Sequence, residues 1–271
     1  MTPAVPDNWR ETPFRTSQEF RRGEVQASGQ VAARFVSGRN SGGMAEARAV
    51  HEFSSLEPKR QAVLDGFPVG LRGMPMLNLL CHPSMDENQS ISWVFDEVLA
   101  KWGGLGSLCA NYDMERADGW LLEMRNMPVL ILGTPHLFDR LNREAGTHHM
   151  ASGSVLLHIG PTFVSGFEDL TDTRQAVILR SMRRLGIAHQ RQAFGMTELG
   201  TPVYDGGDGQ FWFPDWMCVR ALRPDGRECE PHQLGQLDFY DALNPEAPHL
   251  LSDDIGAVSG GTFTFFGRVE R

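Results

Sequence analysis

The sequence predicts an α/β fold, a parallel sheet with flanking helices joined to a smaller antiparallel β subregion. Three observations predict it. Residues 127–195 alternate short apolar runs with helix-period segments, the signature of βαβ units. The chain carries 29 glycines and 16 prolines in 271 residues, so turns are frequent, as in strand–helix alternation rather than a helix bundle. After residue 200 strand-length segments follow one another, separated by Pro, Gly and Asp turns.

Taken in order, residues 1–30 are polar, with scattered Pro and Arg, and read as an irregular N-terminal arm. "QVAARFV", 30–36, predicts a strand that enters the Gly/Ser-rich "SGRNSGG", 37–43. "MAEARAVHEF", 44–53, fits either a helix or a second strand. "SISWVFDEVLAKWG", 90–103, places apolar residues at 91, 94, 95, 98 and 99, helical spacing closed by Gly103 and Gly104. "MPVLILGTP", 127–135, is a buried parallel strand bounded by Pro and Gly. "HLFDRLNREAG", 136–146, is a helix ended by Gly146, and "SVLLHIGPTF", 154–163, another buried strand. "TDTRQAVILRSMRRLG", 171–186, is a helix with Thr171 or Asp172 as cap and Gly186 as stop. "IAHQRQAFG", 187–195, is a strand, and "QFWFPDWMCVRAL", "GQLDFYDAL" and "GTFTFFGRV" supply the later ones. The expected division is 1–30 arm, 31–200 α/β nucleotide-binding core and 201–271 β-rich subdomain.

Composition excludes several function classes. A formal net charge of −9 argues against a general nucleic-acid binder, which shows a basic face. Cys81, Cys109, Cys218 and Cys229 form no CxxC pair, so neither a zinc site nor a disulfide scaffold is expected. The N-terminus lacks the apolar core of a signal peptide. No apolar run approaches the roughly 20 residues of a membrane helix. The expected setting is the cytoplasm. His148 and His149 are adjacent and cannot share one metal from a helix face, and GxSxG is missing, so no serine nucleophile elbow is expected.

Four stretches bear on chemistry. The small residues of "SGRNSGG" let backbone N–H groups converge on a phosphate, although it is not a Walker A loop and, taken alone, such a loop is more often a flexible connector. "FGMTELG", 194–200, sets Thr197 and Glu198 on a glycine turn at the end of a predicted parallel strand. Ligands of such sheets bind at strand carboxyl ends. A carboxylate there can hold Mg²⁺ beside a phosphate while the threonine donates to a phosphate oxygen. The plain alternative is a helix start capped by Thr197. "LLSDDIGAV", 250–258, offers Asp254 to a pair of ribose hydroxyls, or is simply an Asp-rich turn. Arg268 in "FFGRVER" reaches a phosphate or ribose, or is a solvated tail charge.

The order of these motifs is more specific than any one of them. A Gly/Ser loop, "HIGPTFVSGFEDL", "FGMTE", "LGQLDFYD", "SDDIG" and "GR" resembles, over residues 31–271, the adenylate-forming superfamily of acyl-CoA synthetases, peptide-synthetase adenylation domains and luciferases. "SDDIGAV" and the ending at "GRV" are most similar to acyl-protein synthetases of bacterial bioluminescence operons and to phenylacetate–CoA ligases. The resemblance implies the large-domain core of that superfamily and an ATP-dependent, Mg²⁺-requiring formation of acyl-AMP. Ser37, Gly38, Arg39, Asn40, Ser41 and Gly42 would embrace the ATP phosphates. Ser165, Gly166 and Phe167 would pass along adenine, with Phe194 stacked near it and Gly195 in the turn. Thr197 would contact the α-phosphate, Glu198 would hold Mg²⁺, Asp254 the ribose, and Arg268 ribose or phosphate.

The sequence also departs from the family pattern. The phosphate loop is one residue longer than the usual one, carries Arg39 and Asn40 in place of small hydroxyls, and has Arg48 as its nearest following base. The resemblance implies that much of the N-terminal subdomain and the mobile C-terminal domain with its lysine lie outside this chain. Two readings follow. One is an acid ligase that activates an apolar or aromatic carboxylic acid, with Phe163, Phe167 and Met196 as candidate walls. It would pass the acyl group to a protein thiol, CoA or an amine, with a partner supplying the missing domain. The other is a catalytically degenerate homologue acting as a nucleotide-binding or scaffolding partner.

Overall fold

The computed structural model describes residues 3–36, 50–85, 89–159 and 173–268. The chain first makes a 3-10 turn at Trp9–Glu11, then strand β1 (Arg15–Thr16) and helix α1 (Ser17–Arg21). Strands β2 (Ala33–Val36) and β3 (Val50–Phe53) follow, then α2 (Glu57–Gly66), β4 (Met76–Asn78), α3 (Ser90–Trp102), β5 (Leu108–Cys109) and α4 (Met114–Met124). Next come β6 (Leu130–Gly133), α5 (Pro135–Glu144), β7 (Val155–Ile159), α6 (Arg174–Leu185) and β8 (His189–Phe194). The last six strands are β9 (Val203–Asp205), β10 (Phe211–Trp212), β11 (Met217–Leu222), β12 (Leu234–Asp241), β13 (His249–Ser259) and β14 (Thr262–Arg268). The described residues form two units. One holds 3–36, 50–66 and 194–268, the other 67–85, 89–159 and 173–193.

The second unit is the α/β one. Among the described residues its strands pair with one another in parallel, in the order β5-β4-β6-β7-β8. Every residue of β4, β6 and β7 is buried, which is why these segments read as continuous apolar runs rather than alternating ones. Helix α5 is capped by Thr134, whose hydroxyl accepts from the Leu137 amide, with Pro135 at the first helical position, and it ends at Glu144 with Ala145 as its C-cap, short of the expected Gly146. Helix α6 corrects the expected cap. Thr173, not Thr171 or Asp172, accepts from the Ala176 amide. Gly186 stops this helix in the left-handed conformation, φ 63°.

The first unit is mainly antiparallel, β11-β12-β13-β14-β10-β9, with the antiparallel pair β2–β3 as a separate small sheet. The ambiguous stretch before Phe53 is therefore a strand where it is described. The start of the chain is not an irregular arm. Strand β1 pairs in parallel with β13, and α1 carries a complete capping box between Thr16 and Glu19. Phe20 and Val25 enter the same core as Phe239, Leu250 and Phe263. The unit boundaries consequently differ from the arm, core and β subdomain expected above, because β1 pairs with β13 and the residues of β2, β3 and α2 fall in the same unit as the last six strands. The four cysteines are free thiols. Among the described residues no helix is long and apolar enough to cross a membrane.

Candidate functional site

Phe194 ends β8 inside an aromatic core, 8% exposed, with ring centroids 5.1 Å from Phe263, 5.6 Å from Phe211 and 5.8 Å from Phe239. The chain then leaves the strand at Gly195 and turns, the Leu199 amide donating to Met196 O at 3.2 Å. No helix follows. The next element is β9, so Thr197 is not a helix cap.

A loop this buried must satisfy its backbone groups inside the protein, and four side chains do so. His51 Nδ1 donates to Thr197 O at 3.1 Å, and Asn244 Nδ2 to Glu198 O at 2.8 Å. Lys59 Nζ donates to Leu199 O at 3.1 Å, with a longer contact to Gly200 O at 3.5 Å. Asp241 accepts from the Thr201 amide at 2.8 Å and from its hydroxyl at 3.0 Å. The loop lies so close to this group that a β-carbon on Gly200 would meet Asp241 Oδ2 at 3.1 Å, Leu243 O at 3.2 Å and Asn244 Cβ at 3.3 Å. Burial drives the pKa of His51 down to about 3, helped by the positive charge of Lys59, so its ring is neutral and Nδ1 carries the proton donated to Thr197 O. Burial likewise pushes Lys59 down to about 8 against the pull of Asp241.

The second half of the site comes from a β-bulge. Gln236 pairs with Ile255 and Asp238 with Leu251, so Leu237 faces three residues of β13, Ser252, Asp253 and Asp254. Ser252 fastens the bulge, its hydroxyl donating to Leu237 O at 2.9 Å and accepting from the Asp254 amide at 3.1 Å. Bulges bend a strand and re-aim its side chains. The two aspartates are thus strand residues, not an Asp-rich turn. Arg268, the partner of Asp254 in β14, donates from Nε to Asp254 Oδ1 at 2.7 Å. Arg21, at the end of α1, pairs with Asp253 Oδ2 at 2.7 Å.

Glu198 belongs to the same electrostatic cluster. It is 6% exposed, and burial raises its carboxyl above the usual range. Arg268 and Arg21 oppose that rise and Asp254 adds to it. Asp254 is raised too, first by burial and then by Asp253, against the pull of Arg268. Three carboxylates therefore face two guanidinium groups, and Asp254 Oδ2 is buried without a hydrogen-bond partner. The donor set fits a nucleotide with its ion. The unpartnered oxygen can accept from a sugar hydroxyl, and the acidic excess favours a cation near Glu198. Among the described residues no three His, Cys, Asp or Glu side chains form a metal cluster.

The structure thus brings together Thr197, Glu198, Asp254 and Arg268, and leaves Phe194 in the core. Ser37, Gly38, Arg39, Asn40, Ser41 and Gly42 lie outside the described residues, as do Phe163, Ser165, Gly166 and Phe167. Sequence reasoning missed Arg21, His51, Lys59, Asp241 and Asn244. The Thr16–Glu19 spacing of "TSQE" is a capping-box signal that could have placed α1 and hence Arg21. The other four carry no local signal.

No family model matches the sequence, and no curated protein matches it. Solved structures do match the fold. A 2-hydroxyisobutyryl-CoA ligase, in an open conformation with 2-HIB-AMP and CoA, is 16% identical with a TM-score of 0.67, over 94% of this chain and 64% of that one. A long-chain-fatty-acid-CoA ligase from Archaeoglobus fulgidus is 13% identical with a TM-score of 0.62, over 88% of this chain and 52% of that one. The O-succinylbenzoate coenzyme A synthetase from Bacillus subtilis, in complex with AMP, is 16% identical with a TM-score of 0.56, over 88% and 50%. This chain spans between half and two thirds of their lengths. The likeness is one of fold, shared with these ligases over most of this chain.

Proposed function

We propose that this chain is an ATP-dependent carboxylate-activating ligase that forms an acyl-adenylate, of the acyl-protein synthetase or phenylacetate–CoA ligase type. The observation that carries the reading is the convergence of Glu198, Asp254 and Arg268 on one buried acidic cluster with an unpartnered Asp254 oxygen. Glu198, distant in sequence from Asp254 and Arg268, shares one electrostatic cluster with them, which supports the reading. The structural likeness to acid–CoA ligases supports the same class.

In the reaction an oxygen of the acid's carboxylate bonds to the α-phosphorus of ATP, the bond to the bridging oxygen breaks, and pyrophosphate leaves with its electron pair. This half-reaction needs alignment and charge stabilisation rather than a side-chain nucleophile. Asp254 would accept ribose hydroxyls on Oδ2, oriented by Arg268 on Oδ1. Thr197 would donate to the α-phosphate, and Glu198 would hold Mg²⁺. An ion held there would supply screening of the phosphate charge. The acid is apolar or aromatic, and the acceptor is a protein thiol, CoA or an amine.

ATP–pyrophosphate exchange with a panel of fatty and aromatic acids tests the proposal. Exchange stimulated by one acid supports it and gives the substrate class. A folded protein that is stabilised by MgATP but exchanges with no acid supports the alternative, a nucleotide-binding homologue without turnover.

A further inference from the structure

Lys59 lies in the first turn of α2 (Glu57–Gly66), 2% exposed, far in sequence from every motif of the site. Its ammonium lies 5.2 Å from the ring centre of Phe53 and 5.7 Å from that of Phe35. Taking an ammonium out of water is costly unless its surroundings compensate. Here the compensation comes from backbone carbonyls of the loop that bears Thr197 and Glu198, and from the nearby Asp241. Four consecutive carbonyls, 197 to 200, take donors from His51, Asn244 and Lys59. A hydrogen bond to each carbonyl fixes its peptide plane, and fixed planes fix where the side chains of 197 and 198 point. His51 and Asn244 achieve this as neutral groups. Lys59 does it with a buried charge, whose desolvation cost a neutral donor would not incur.

We infer that Lys59 is a positioning residue. It acts through Leu199 and Gly200 to hold Thr197 and Glu198 in the geometry that binds MgATP, and in this the inference rests on the ligase reading above. Lys59 does not touch the substrate. Its effect passes through the loop backbone, as supporting residues around metal sites act through the ligands they orient.

The test is Lys59→Met, which keeps the length and apolar contacts of the stem and removes the ammonium, with Lys59→Gln as a second variant should Met not fold. Three readouts are taken on the full chain. Amide hydrogen exchange of residues 196–202 is expected to accelerate while protection in β12 and β13 is kept. MgATP affinity by calorimetry is expected to fall on the order of tenfold, the lower end for loss of a supporting residue. In pyrophosphate exchange the KM for MgATP should rise with that for the acid unchanged. Unchanged loop exchange, or faster exchange spread evenly over the whole first unit, overturns the inference, since the lysine would then serve global stability alone. If the wild-type chain binds no MgATP, the ligase reading fails, while the loop's hydrogen exchange still decides whether Lys59 holds it.

Discussion

Arg268 and Asp254 face each other across β14 and β13, with Arg268 Nε 2.7 Å from Asp254 Oδ1 and the other oxygen of the same carboxylate left without a partner. One half of the aspartate is thus fixed by protein, and the other half is an acceptor still to be used. Arg268→Gln removes the charge that counters Asp253, Asp254 and Glu198. Because Arg268 is partly exposed, the cost to stability should be roughly 1–2 kcal/mol, below the value for a fully buried pair. ATP affinity should fall more steeply than stability. Urea unfolding and calorimetric titration of the same sample check both.

Glu198→Gln separates folding from binding. Burial already penalises the ionised carboxylate, so the neutral amide should leave stability unchanged or raise it. MgATP binding and pyrophosphate exchange should fall by about 100-fold, the scale of losing one key electrostatic group. A variant as active as wild type would remove the Mg²⁺ role from this residue.

Two buried groups, His51 and Glu198, predict the sign of the pH dependence. His51 titrates at 6.5 when unfolded and near 3 when folded, so the native state binds fewer protons between those values and stability falls as pH drops through that window. Glu198 has the opposite sign. Its folded value is raised from 4.5, so its contribution is complete below 4.5 and is lost as pH rises through the folded value. His51→Asn keeps a donor in the place of Nδ1 and removes the titration. Its urea midpoint should therefore fall less than that of wild type on going from pH 6.5 towards 3.

Gly200→Ala should destabilise by about 1–3 kcal/mol, because the new methyl group meets Asp241 and the backbone of Leu243, neither free to retreat. The accompanying shift of the loop should weaken MgATP binding as well. Thermal unfolding with and without MgATP measures both effects, and a normal nucleotide-induced rise in Tm would separate the loop from the site.

Thr16→Ala tests the start of the chain. It removes the hydroxyl of the capping box on α1 and should cost about 1 kcal/mol. It should also loosen Arg21, so the affinity loss should shrink at high salt, where the remaining charge contributions are screened. An uncapped chain with unchanged stability would show that α1 contributes little to the first unit.

Much of the α/β unit was legible because parallel strands buried on both faces leave unbroken apolar runs such as "VLIL" at 129–132, and their crossover helices keep the 3.6-residue period. The short elements β1, α1, β4, β5 and β10 were less so, since two to five residues cannot display a period. Helix α2 escaped for another reason. Lys59 occupies a buried position, so the helix does not present a clean apolar stripe.

The sequence by itself determined the α/β class, the strand–turn setting of Thr197 and Glu198, and the order of motifs that points to an adenylate-forming site. These depend on local period and on residue types at fixed spacing, which a linear string preserves. Tertiary structure decided that Asp253 and Asp254 sit on a bulge beside Arg268 and Arg21, and that His51, Lys59, Asp241 and Asn244 hold the loop. Those residues come from segments more than a hundred positions apart, or from strands whose register is set by pairing. Their roles depend on burial and on a missing or present partner, and both exist only once the chain has closed on itself.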